Sequence, residues 1–80
     1  MTLIDVLAPE LGREVETMLL VGWRASPGSP VEAGEPLFEV ETDKAVFEVE
    51  AEAGGILSEI LVTAGEPVCP GAVVGRIRVG

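Results

Sequence analysis

The 80-residue chain contains no histidine, one cysteine, one lysine and one tryptophan, and each scarcity closes off a class of chemistry. Without histidine there is no Ser-His or Cys-His nucleophilic centre and no imidazole-bound metal. Cys69 stands alone, so neither an intramolecular disulfide nor a cysteine metal cluster can form. Such cysteine use fits a reducing compartment, the cytoplasm or a mitochondrial matrix. Its expected role is that of a small packing residue near a turn, with an intermolecular disulfide as the lesser alternative. Asp5 and Glu10 interrupt the apolar residues after Met1, which argues against a signal peptide. No apolar run is long enough to span a bilayer. A phosphate-binding loop is missing, because Gly54-Gly55 is not followed by the Lys-Ser/Thr pair such loops need. The acids lack the spacing of a calcium loop.

Basic residues are also scarce: 5 against 14 acidic ones, for a formal net charge of -9. That field repels phosphate backbones and anionic lipid, so neither nucleic acid nor membrane is an expected partner. It favours partners with basic docking surfaces, although solubility alone would account for it equally well. Eighty residues make one small domain, 1–80, which buries only about 60–65 % of its unfolded surface. A core and an enclosed substrate cavity do not both fit.

Glycine and proline are plentiful, with 10 and 6 copies, and they cut the chain into short apolar runs. Short strands between Gly/Pro turns predict an all-β sandwich or barrel. The clearest pair is Pro36-Leu-Phe-Glu-Val-Glu-Thr and Ala45-Val-Phe-Glu-Val-Glu-Ala, where Phe38 and Val40 alternate with Glu39 and Glu41. Phe47 and Val49 likewise alternate with Glu48 and Glu50. A two-residue loop at Asp43-Lys44 sets Val40 against Phe47, Phe38 against Val49 and Glu39 against Glu48. Both apolar sets then share one face, and the opposed glutamates repel slightly. From Pro9 to Leu20, Leu11, Val15, Met18 and Leu19 fall at helical spacing, but Gly12, Val15 and Thr17 disfavour a helix. The reading preferred there is an irregular loop entering a strand at about Met18.

An internal repeat organises the rest. Gly28, Pro30, Val31, Gly34, Leu37 and Val40 recur 37 residues later as Gly65, Pro67, Val68, Gly71, Val74 and Ile77. Leu20 falls opposite Leu57, and Trp23, read as a core residue, opposite Ile60. Two copies are too few for a solenoid. They predict two similar half-sheets packed face to face about a pseudo-two-fold axis. The Lys44 hairpin joins the halves at one end, and both termini lie at the other.

Lys44 is the sole lysine and occupies the predicted hairpin tip. Two-residue loops prefer a glycine, because their favoured turns need positive φ, and Asp43-Lys44 has none. Unoptimised turn chemistry is a reason to suspect function. By itself, however, a lysine at such a tip is most often a solvated surface residue.

The segment Thr42-Asp43-Lys44-Ala45 resembles the biotinyl/lipoyl carrier domains, in their lipoyl version. The resemblance runs from about Leu3 to Val79 and includes Gly28, Gly55, Gly65-Glu-Pro-Val and the closing strand at Ile77. It implies a flattened sandwich of two four-stranded antiparallel sheets, a barrel-sandwich hybrid, with Gly28, Gly55 and Gly65 as structural turn glycines. It further implies that Lys44 is the lipoyl-lysine of a non-catalytic carrier. On this reading the lipoate-attaching enzyme, a lipoate ligase or lipoyl transferase, reads Glu41, Thr42, Asp43 and Ala45, with Glu39 and Glu48 as solvated bystanders. The arm would carry acyl groups and reducing equivalents within a 2-oxo acid dehydrogenase complex or a related acetoin-cleaving one. Its partners would be a decarboxylase, an acyltransferase and a dihydrolipoamide dehydrogenase, the isolated domain being a monomer.

Biotinyl domains carry methionine on both sides of the lysine; Asp43 and Ala45 stand there instead, which counts against a biotin carboxyl carrier. Glycine-cleavage carriers are longer and have helical additions. Unmodified lipoyl-like modules of export adaptors are flanked by helical hairpins not found in this sequence. The chain departs from the family pattern at Val21-Gly-Trp-Arg-Ala-Ser-Pro-Gly-Ser-Pro, where Gly28-Ser29 replaces a Gly-Asp turn. Gly22 should soften that strand by several tenths of a kcal/mol and leave an irregular edge.

Overall fold

The computed structural model describes residues 2–12 and 16–80. Those residues form eight strands: β1 (Thr2–Leu7), β2 (Met18–Trp23), β3 (Pro30–Val31), β4 (Pro36–Glu41), β5 (Val46–Glu50), β6 (Gly55–Ile60), β7 (Pro67–Val68) and β8 (Val73–Val79). No helix occurs among them, and so none long and apolar enough to cross a membrane. Two four-stranded sheets result, ordered β1-β8-β6-β3 and β5-β4-β2-β7, with antiparallel pairing throughout. The all-β, two-sheet expectation therefore holds. Leu11 lies in a loop and β2 begins at Met18; Val15, part of the rejected helical pattern, lies outside the described residues.

The 37-residue offset carries β2 onto β6, β3 onto β7 and β4 onto β8, down to individual hydrogen bonds. Gly28 N–H donates to the Leu57 carbonyl (2.7 Å) as Gly65 N–H donates to that of Leu20 (2.8 Å). Gly34 N–H reaches the Ala51 carbonyl (2.8 Å) as Gly71 N–H reaches that of Ala8 (3.0 Å), which makes β5 the counterpart of β1. Gly28 and Gly65 have φ of 92° and 89°, the left-handed region that only glycine enters without strain. The halves interlock more than the repeat alone conveys. Short β3 pairs with β6 and short β7 with β2, so each sheet draws strands from both copies.

Repeat-related residues meet in one core: Leu20 with Leu57, Val31 with Val68, Leu37 with Val74 and Val40 with Ile77 are all buried. Each large side chain fully withdrawn from water contributes about 1.5–3 kcal/mol. The symmetry breaks at two positions that compensate each other. Phe38 corresponds to Gly75, and Trp23 to Ile60. The half-buried Trp23 stacks on Phe38, with ring centroids 5.0 Å apart, and an added Cβ at Gly75 would come within 2.9 Å of its ring. Its indole N–H is satisfied by the Val62 carbonyl at 2.8 Å. Glycine in one half makes room for tryptophan from the other.

The expected irregularity near Gly22 is a bulge at Val21, but β2 is an interior strand rather than an edge. An equivalent register shift recurs at Ser58. The bulge thus belongs to the architecture and not to Gly22. Cys69 is exposed in a turn closed by Ala72 N–H on its carbonyl, which corrects its assignment as a packing residue.

In the turn before β7, the Glu66 carboxylate accepts the Thr63 N–H (2.6 Å) and its hydroxyl (2.8 Å). The backbone bond first and the hydroxyl second hold this carboxyl below the usual carboxylate range. A depressed folded pKa means stabilisation that is complete above the unfolded value and lost as pH falls through the folded one. Glu66→Gln should therefore flatten the acid limb of the stability–pH curve below about pH 4, measured by urea unfolding across that range. An acid limb as steep as that of the wild type would contradict the assignment.

Candidate functional site

Strands β4 and β5 pair in the register that the alternation predicts: Glu41 with Val46, Val40 with Phe47, Glu39 with Glu48 and Phe38 with Val49. Thr42 N–H donates to the Ala45 carbonyl at 2.8 Å and leaves Asp43-Lys44 as a two-residue tip. No described residue other than glycine has positive φ, so the tip is not one of the favoured glycine-dependent turns. A side chain stabilises it instead. Thr42 Oγ1 accepts the N–H groups of Lys44 (3.2 Å) and Ala45 (3.3 Å) and donates to the Ala45 carbonyl (3.3 Å). The hydroxyl ties down the two amides that follow Asp43, a role invisible in the tetrapeptide as a string.

Asp43, Lys44 and Ala45 are exposed and Thr42 is half-buried. Strand β5 runs back from this tip to Glu50, after which the chain enters β6 at Gly55, against the C-terminal Arg78. Thr2 pairs with Val79, so the two ends of the described chain lie together. Phe47 departs from expectation in burial although not in register: it is 38 % exposed, because β5 is the sheet edge and nothing covers its outer side.

Glu41 and Asp43 flank the tip. Glu39 and Glu48 do oppose one another, but their repulsion is answered by a cation that sequence reading missed. The Arg24 guanidinium lies 3.3 Å from Glu39 and 3.0 Å from Glu48. The repeat contains the signal, because Arg76, the counterpart of Glu39, bridges Asp5 (3.0 Å) and Glu59 (2.7 Å) on the other sheet. Arg76 thus ties β1 and β6 from within β8, and Arg24 ties β4 and β5 from just beyond β2. The turn glycines lie away from the tip. Gly28 and Gly65 sit in turns, whereas Gly55 is the first residue of β6 and faces the Arg78 backbone.

Among the described residues no cluster of three His, Cys, Asp or Glu could hold a metal. Among the described residues, Lys44 is in none of three surface clefts, walled by Arg24, Ser29 and Glu35, by Ile56, Arg78 and Val79, and by Val6, Val49 and Glu52. What the tip offers is one primary amine on a rigid turn, reachable from outside and bordered by acids. Such a site suits a group held by a single covalent bond and needing no cradle.

A family model described as biotin-requiring enzyme matches residues 4–77. Over all 80 residues the chain is 40 % identical to the dihydrolipoyllysine-residue succinyltransferase component of the 2-oxoglutarate dehydrogenase complex of Escherichia coli K12. It spans about a fifth of the length of that relative. It is 41 % identical over 73 residues to the dihydrolipoyllysine-residue acetyltransferase component of the pyruvate dehydrogenase complex of Corynebacterium glutamicum, covering 91 % of this chain and 11 % of that protein. The solution structure of the lipoyl domain of the 2-oxoglutarate dehydrogenase complex of Azotobacter vinelandii superposes with a TM-score of 0.79 at 35 % identity. That match covers 96 % of this chain and 98 % of the other.

Proposed function

Because the chain belongs to the biotinyl/lipoyl attachment family, and within it is a lipoyl domain that carries rather than catalyses, we propose that Lys44 bears lipoate in amide linkage. The observation that carries this reading is the placement of the only lysine at the tip of the β4–β5 turn. Glu41 and Asp43 supply the negative charge by which a lipoate ligase or lipoyl transferase reads the hairpin. Thr42 fixes the backbone amides of Lys44 and Ala45.

When bound, the group supplies a disulfide that accepts an acyl unit together with two electrons. The protein's part is presentation. The sheets below hold the turn rigid, while the four-carbon stem of Lys44 moves. Tethering raises the local concentration of the arm at each partner active site. Those partners are a 2-oxo acid decarboxylase, an acyltransferase and a dihydrolipoamide dehydrogenase, in the reducing cytoplasm that a single exposed cysteine tolerates. The names of the relatives support a 2-oxo acid dehydrogenase complex as the parent assembly. A biotin carrier is disfavoured by Asp43 and Ala45 in place of methionines.

The domain, loaded with lipoate, should gain one acyl mass when incubated with a 2-oxo acid decarboxylase component and its 2-oxo acid, whereas the unloaded domain should gain none. A parallel biotin ligase reaction should leave its mass unchanged. Biotin uptake, or a loaded domain that stays unacylated by both 2-oxoglutarate and pyruvate decarboxylase components, would refute this function.

A further inference from the structure

Among the described residues, four of the seven exposed large apolar side chains, Leu19, Val21, Val46 and Phe47, lie on β2 and β5 of the sheet that bears the tip. Phe47 shares the apolar face of Val40, but the placement of the other three is not what folding requires. In β2 the buried residues are Met18 and Leu20, while Leu19 and Val21 face outward. In β5 Val46 is 52 % exposed. Cross-strand pairing sets Val46, Glu41 and Leu19 side by side in one outward row. Val46 is two residues from Lys44, about 7 Å along an extended strand.

The pseudo-symmetry supplies a comparison inside the same molecule. The equivalent row on the other sheet is Leu3, Arg78 and Ile56, with Leu3 also 53 % exposed. Both rows read apolar, charged, apolar, but the central charge is acidic beside the lysine and basic beside the termini. An enzyme that acylates Lys44 must seat its pocket over a two-residue tip. Even a small interface takes about 600 Å² from each partner, roughly an eighth of the 4842 Å² of this domain. The row nearest the tip falls inside that footprint and the row near the termini does not. Contiguous exposed apolar residues rimmed by polar ones mark protein-binding surfaces.

We infer that Val46, Leu19 and Val21, with Glu41 among them, form the docking surface for the lipoate-attaching enzyme. The matching surface on that enzyme is an apolar shelf rimmed by Lys and Arg. The charge argues for that rim: Glu41 and Asp43 stand at this end of a chain of net -9, and complementary fields steer encounter and fix orientation. This inference rests on the lipoyl-lysine reading and extends it from the tip to the face of the sheet.

The test compares two double variants of the full chain as substrates for a lipoate ligase with lipoate and ATP, scored by intact mass over a range of domain concentrations. Leu19→Thr/Val46→Thr removes apolar surface beside the tip and places β-branched residues suited to strands at both positions. It should raise KM about tenfold and leave kcat within about twofold, as loss of docking contacts does. Leu3→Thr/Ile56→Thr removes apolar surface from the equivalent row beside the termini and should leave both constants unchanged. Thermal unfolding of each variant verifies that both fold. A wild-type KM for the first pair, or an equal rise for both pairs, overturns the docking surface. A wild-type chain that takes up no lipoate at all refutes the lipoyl-lysine reading, a separate failure that removes this surface with it.

Discussion

Gly55→Ala is expected to lower the melting temperature of the domain by about 12–24 °C, while Gly54→Ala next door leaves it unchanged or raises it by a few degrees. A Cβ at Gly55 would overlap the backbone carbonyl oxygen of Arg78 and stand 3.0 Å from Ile77 Cγ2. A carbonyl held in a sheet cannot turn aside as a flexible side chain can. Strands β6 and β8, paired here through Ile56 and Arg78, must instead move apart. Overpacking of this kind costs about 3 kcal/mol. In a domain of this size each kcal/mol moves the midpoint by about 4–8 °C. The neighbouring Gly54 meets nothing closer than 3.5 Å and is not among the glycines of positive φ. Alanine there restricts only the unfolded chain and is neutral or stabilising, by about 0.4–1 kcal/mol. A melting curve of Gly55→Ala within a few degrees of wild type would show that the two strands tolerate a side chain between them.

The same glycine marks how much of the structure was legible in the sequence. Its position stood out in Gly54-Gly-Ile-Leu, but its reason did not. A turn glycine was expected, whereas the actual constraint is a backbone 23 residues further along the chain. The β4–β5 hairpin was readable to the residue, because period-two alternation fixes both face and register. The 37-residue offset was readable too, since Gly28/Gly65 and Val31/Val68 recur unchanged. Alternation does not reveal which strand is an edge, so Phe47 was assigned to the shared apolar face although it reaches water. Two-residue strands have no period, and the crossing of β3 and β7 to opposite sheets left no trace in the pattern. Arg24 follows the Trp-containing strand in an unusual Pro-Gly segment, and only folding brings it beside Glu39 and Glu48. At the candidate site, Lys44, Asp43 and Glu41 were visible as residue types. The hydroxyl of Thr42 and the outward row of Leu19 and Val46 needed coordinates.

Lys44→Arg is expected to abolish modification outright while leaving the fold intact. Position 44 is exposed and its own backbone N–H is held by Thr42 Oγ1, a contact no side-chain exchange at 44 removes. Arginine keeps the positive charge and the length of the stem, so the steering field at the tip survives. What it lacks is a nucleophilic amine, because the guanidinium stays protonated in proteins. Since the chain has no second lysine, no other side-chain amine can substitute. The effect is thus all or none, not a partial loss, and it separates chemistry at one atom from any change in docking or stability.

The decisive measurement is the intact mass of the wild-type chain and of Lys44→Arg after incubation with a lipoate ligase, lipoate and ATP. One lipoyl group on the wild type and none on the variant is the predicted result. An unmodified wild type, or a variant that still gains the group, would contradict the assignment of Lys44 as the lipoyl-lysine.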